Sequence, residues 1–183
     1  MERMAEAEVS LRLAFWLAHR GLARGRIKVA IDGAQVRTGT KVHFDLVGFL
    51  AAAGWTRETC SDTWQGNYKR VGLPVVLQVH STPGRGDVVT ELTSGHTLRA
   101  ECKKGPLIRS KSSQEYPLVR EALGQLLTVD EVGDQDILAV AVPHSDRFAE
   151  LASRWRQAPL VKRFGIQILT VDREGNVAGF SEE

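Results

Sequence analysis

Cysteine is scarce in this chain: Cys60 and Cys102 are the only two in 183 residues. Their spacing matches no zinc motif, and two thiols make no disulfide framework, so a small cross-linked secreted fold is excluded. Long apolar runs are missing as well; none approaches the roughly 20 residues that a membrane-spanning helix needs. The opening Met1-Glu2-Arg3-Met4-Ala5-Glu6-Ala7-Glu8 is too acidic for a secretory or organellar leader. A cytoplasmic protein with reduced thiols is the expectation. Low-complexity tracts, internal repeats and linker composition are absent too, and the length suits one domain over 1–183.

Net charge is also small, at +2, too little to mark a nucleic-acid binder by itself. Its distribution is uneven. Arg12, Arg20, Arg24, Arg26 and Lys28 follow one another with no acidic residue between them. Arg99, Lys103, Lys104, Arg109 and Lys111 form a second cluster against Glu101 alone. Such patches can neutralise backbone phosphates, or they can be solvated helix-end charges.

Periodicity places the elements. Val9, Leu13, Trp16 and Leu17 recur at helical spacing and predict an amphipathic helix over 5–20, stopped by Gly21 and Gly25. A strand is expected over 27–31, closing at Asp32-Gly33, and a helix over 42–53, closing at Gly54. The segment 55–68 suggests short strands or an ordered insertion. Strands over 74–80, 88–92 and 97–103 then read as a three-strand meander, with a hairpin turn at Thr93-Ser94-Gly95-His96. A helix over 117–128 follows. The continuous apolar run 137–142 predicts a fully buried strand, Ser145 a cap for a helix over 146–156, and 165–171 and 176–180 two more strands. The fold class is therefore α/β, a central mixed sheet flanked by helices.

The chemistry concentrates around the hairpin. Gly84-Arg85-Gly86-Asp87 enters one strand, and Glu101-Cys102-Lys103 closes the next. Side chains alternate along a strand, so Glu101 and Lys103 share a face while Cys102 points the other way. Pairing would bring Asp87 opposite 99–103. Asp87 and Glu101 would then offer oxygens to a hard divalent cation, with the Cys102 backbone carbonyl as a third donor. Mg²⁺ suits such a set because it accepts a few carboxylates and keeps several waters. Lys103 would position or deprotonate the attacking water. Cys102 itself reads as a small buried hydrophobe, since no histidine is placed to activate it. Gly84-Arg85-Gly86 lacks the lysine and hydroxyl of a phosphate-binding loop, although Arg85 remains a phosphate contact. Trp55, Trp64 and Tyr68 either form a stacking surface or pack in the core.

This element order, with Asp87 and Glu101-Cys102-Lys103, resembles the PD-(D/E)XK nuclease superfamily, the restriction-endonuclease-like fold. The resemblance covers roughly 71–142 and the first helix, and it implies Mg²⁺-dependent hydrolysis of DNA, with Mn²⁺ able to substitute. It implies a metal-site glutamate early in the first helix, where Glu8 fits and Glu6 is the fallback. It also implies a glutamine on the helix after the motif, matched by Gln125. Gly86 stands where the family name has proline, and 32–70 forms an insert that fits no branch. Arg85, Lys104, Arg109 and Lys111 are the expected nucleic-acid contacts. A homodimer or a targeting partner protein would supply recognition that one small domain lacks. A non-catalytic binding module on the same fold and an RNA-directed nuclease stand as alternatives.

Overall fold

The structure, a computed structural model, describes residues 2–59, 63–82, 84, 86–108, 114–129 and 131–182. Arg85, Arg109 and Lys111 lie outside the described residues. The chain begins with a short strand β1 (Arg3–Met4), helix α1 (Glu6–His19) and the long strand β2 (Ala23–Ala30). An excursion follows: α2 (Gly33–Val36), the hairpin β3 (Arg37–Thr38) and β4 (Lys41–Val42), α3 (Leu46–Ala52), then β5 (Thr56–Arg57), β6 (Gly66–Lys69) and β7 (Val76–His80). The hairpin β8 (Val88–Leu92) and β9 (Thr97–Cys102) comes next, and β10 (Gly105–Pro106) and α4 (Glu115–Leu126) follow it. The chain closes with β11 (Asp136–Pro143), α5 (Asp146–Arg156), α6 (Pro159–Arg163), β12 (Gln167–Val171) and β13 (Val177–Ala178).

Nine strands form one mixed sheet in the order β13-β12-β11-β9-β8-β2-β7-β6-β5. β11 lies parallel to both β9 and β12, and β7 lies parallel to β2. α1 packs on one face. Its Val9, Leu13 and Leu17 are fully buried, together with Leu98, Ala100, Ala139 and Ala141 from the sheet. On the other face α4 and α5 bury Val119, Leu126, Phe148 and Ala152 against Val140, Val142 and Ile168. Alternate residues of β11 thus enter two different cores, which is why its sequence carries no polar phase.

Local chemistry accounts for the ends of these elements. Ser145 caps α5 by accepting the Phe148 N–H at 3.3 Å, as its position predicts. Glu6 and Glu8 sit in the first turn of α1, where acidic groups complement the dipole. Pro117 falls within the first turn of α4, where a missing N–H removes no helical hydrogen bond. The helix expected from Val42 starts instead at Leu46. Asp45 caps it by accepting the Gly48 N–H at 3.0 Å, and Val42 pairs with Arg37 in a small hairpin.

The expected meander of 74–80, 88–92 and 97–103 is corrected by the pairing. β8 lies between β9 and β2, and β7 lies beyond β2. The antiparallel meander is therefore β2-β8-β9, and the segment between β2 and β8 adds β7, β6 and β5 to one edge. The tight turn at 93–96 closes a true hairpin, whereas the longer, Gly-containing connection from β7 must cross β2 to reach β8. The excursion is thus a sheet extension reaching past residue 70.

Candidate metal and acid cluster

Asp87 is anchored twice to the neighbouring strand. Its backbone N–H donates to the Ala100 carbonyl at 2.9 Å, while its Oδ2 accepts the Cys102 N–H at 2.7 Å. It therefore straddles Glu101. On the other side, the Asp87 carbonyl accepts the Ala30 N–H of β2 at 2.8 Å. Gly86 makes the approach possible. Its φ is +128°, outside the range of proline and costly for any L side chain, and an added Cβ would lie 3.3 Å from the Ala100 carbonyl oxygen. This is the physical reason for glycine at that position.

A cavity of about 620 Å³ opens over these residues. Its walls include Glu6 from α1, Asp87, Glu101 from β9 and Gln125 from α4. Lys103 is only 5% exposed; its Nζ lies 3.3 Å from Glu121 and 3.9 Å from Glu6. Glu6 is also held by the Gln35 amide at 2.9 Å. Burial pushes the Asp87 carboxyl up to about 7; the Cys102 N–H opposes that, Glu101 and Glu6 add to it, and the Lys103 charge pulls it down. Burial raises Glu101 as well, against Lys103 and with Glu6. Four charged groups thus sense one another in a partly dehydrated space.

Glu8 is not among them. Its Oε1 accepts from Arg12 at 2.9 Å and from Arg173 at 3.0 Å, so this carboxylate is committed to ion pairs beneath the C-terminal segment. Two positions apart on a helix point about 200° apart, and Glu6 is the one directed to the cavity. Gln125 is exposed on the cavity wall. Lys104 is exposed, with its backbone N–H 3.5 Å from Glu6. The Cys102 side chain is fully buried on the α1 side, and burial holds its thiol well above the usual range, which removes it as a nucleophile. Trp55 and Tyr68 are core residues at 1% and 2% exposure, and Trp64 packs against the same cluster, so they form no stacking surface.

Two participants carried little sequence signal. Gln35 lies in the excursion, where no pattern ties it to α1. Glu121 stands four residues before Gln125, and that spacing alone would have placed both on one helix face.

The donors are all oxygens, which suits a hard cation. The raised proton affinities of Asp87 and Glu101 mark carboxylates that positive charge would relieve. Among the described residues, no group of three or more His, Cys, Asp or Glu side chains is close enough to hold an ion. No helix among the described residues is long and apolar enough to cross a membrane. No protein-family model, curated protein or solved structure matches the chain.

Proposed function

We propose that this chain is a metal-dependent DNA endonuclease with a restriction-endonuclease-like core. The observation that carries the reading is the double anchoring of Asp87 across Glu101, with Lys103 and Glu6 in the same electrostatic neighbourhood and an open cavity above. The order α1, β2-β8-β9, α4, β11, with β11 parallel to β9, supports the fold assignment.

Asp87 and Glu101 would hold Mg²⁺, or Mn²⁺ in its place, while Glu6, rather than Glu8, is the helix-borne carboxylate that faces the same cavity. A hard divalent cation supplies a Lewis acid that neutralises charge developing on a phosphodiester. Lys103 positions the attacking water and balances charge on the phosphate from its nearly buried Nζ. Gln125 offers an amide on the cavity wall to orient the water or a phosphate oxygen. Glu121 and Glu6 hold Lys103 in place between turnovers. A homodimer would give each strand of a duplex its own site.

The test is incubation of purified protein with supercoiled, linear and single-stranded DNA, and with RNA, in Mg²⁺ or Mn²⁺. The reading expects DNA cleavage that stops on chelation and in Asp87→Asn. A chain that binds DNA yet cuts no form of it with either metal is a binding module instead. Preferential RNA cleavage would reassign the substrate.

A further inference from the structure

The sheet changes character beyond β9. α4 packs on β9 and β11, and α5 on β12, while among the described residues no helix packs comparably on β2 and β7 on that face. The registers align Gln78, Lys28, Val89 and Arg99 in one row across β7, β2, β8 and β9. Arg26 shares the face, two residues back along β2, because Ile27 and Val29 between and beyond point into the core. The Arg26 and Lys28 side chains are exposed and have no ion-pair or hydrogen-bond partner among the described residues. Arg99, by contrast, is held by Asp136 at 3.0 Å.

A second cavity, of about 420 Å³, lies on this face against Lys28, Gln78, His80 and Arg99. It shares Thr82, Gly84 and Gly86 with the wall of the acidic cavity, so the two adjoin. His80 Nδ1 is buried there with no hydrogen-bond partner among the described residues.

Charge and shape select the occupant. The basic row faces solvent beside a site that would act on phosphodiesters. The aromatic rings nearest to β7 in sequence, Trp64 and Tyr68, pack against the opposite core together with Trp55, so among the described residues they give unpaired bases no platform on this face. A sheet face that carries the unpaired cations Arg26 and Lys28, with Arg99 and Arg24 neutralised by Asp136 and Glu91, instead suits the phosphates of a duplex.

We propose that the uncovered face of β7, β2 and β8 binds the phosphate backbone of double-stranded DNA through Arg26 and Lys28 and leads it to the Asp87–Glu101 cavity. The identity of the polymer rests on the nuclease reading; the surface itself does not depend on cleavage.

Fluorescence anisotropy with a short labelled duplex, in chelator so that nothing is cut, tests it between about 50 and 200 mM salt. Arg26→Gln/Lys28→Gln should weaken binding several-fold and lower the slope of log affinity against log salt by roughly two. Arg26→Lys/Lys28→Arg should keep the slope, and an unchanged thermal midpoint in both variants excludes unfolding. An unchanged slope in the Gln variant overturns the proposal. So does an equal loss in Lys162→Gln/Arg163→Gln, an exposed pair of the same charge on α6, because binding would then be diffuse. Tighter binding of the single strand through the same two residues overturns the duplex assignment. Slope loss without any cleavage by the unmodified protein retires the nuclease and keeps the surface, whereas cleavage with an unaffected slope does the reverse.

Discussion

β11 and β2 run through the same sheet but are written in different alphabets. Ile137-Leu138-Ala139-Val140-Ala141-Val142 is apolar at every position, and its last four residues are fully buried between α1 on one side and α4 and α5 on the other. Arg26-Ile27-Lys28-Val29 alternates, with Ile27 and Val29 buried under α1 and the two cations exposed. The difference shows how the sheet divides its labour. The half built around β11 is closed and supplies stability. The half built around β2 is open on one side among the described residues, and the acidic cavity sits where the two meet.

The comparison breaks most visibly at β11. Val142→Asp would bury an unpaired charge and should cost at least about 4 kcal/mol, enough to lose the cooperative unfolding transition by circular dichroism. A variant that melts normally would mean that β11 is not enclosed on both faces. At the boundary, Lys103→Ala should lower DNA cleavage about 100- to 1000-fold while leaving duplex affinity nearly intact. Retained turnover would remove Lys103 from the chemistry.

Asp87 gives a prediction with a sign. Its pKa rises from an ordinary 3.8 to about 7 in the fold. Below 3.8 both folded and unfolded chains hold the proton, and between the two values only the folded chain does. Stability attributable to this group therefore falls as pH climbs from 3.8 to about 7, and the penalty is complete above that. Asp87→Asn should then raise Tm at pH 8 by several degrees, with little change at pH 4. The same proton competes with a cation, so metal-dependent activity should fall as pH drops through 7. A variant less stable at pH 8 than at pH 4, relative to the parent, would reverse the assignment.

Glu8→Gln should cost about 1–2 kcal/mol through its lost ion pairs with Arg12 and Arg173, without altering the response to metal. Glu6→Gln should show the opposite profile in the same two assays. The smallest effect belongs to the open face: Lys28→Val should change stability by no more than about 0.5 kcal/mol in a denaturant titration.

Much of the fold was legible because its determinants are local. The stripe of α1, the Ser145 cap and the unbroken apolar run of β11 each follow from a few consecutive residues. The β2-β7 pairing was not legible, since parallel partners lie some fifty positions apart and nothing near β8 states that its preceding strand lies elsewhere. That Asp87 would fall beside Glu101 was readable from the hairpin register. The choice between Glu6 and Glu8 was not, because both suit the first turn and only Arg173, far along the chain, draws Glu8 away. Trp55 and Tyr68 resembled a binding surface for the same reason: their neighbours in sequence are basic, but their neighbours in space are the apolar core.

Mn²⁺ titration followed by calorimetry, comparing the parent chain with Asp87→Asn/Glu101→Gln at pH 8, addresses the shared-cation claim most directly. The account predicts binding in the parent that the double variant loses while remaining folded. No binding in the parent, or equal binding in both, would contradict it.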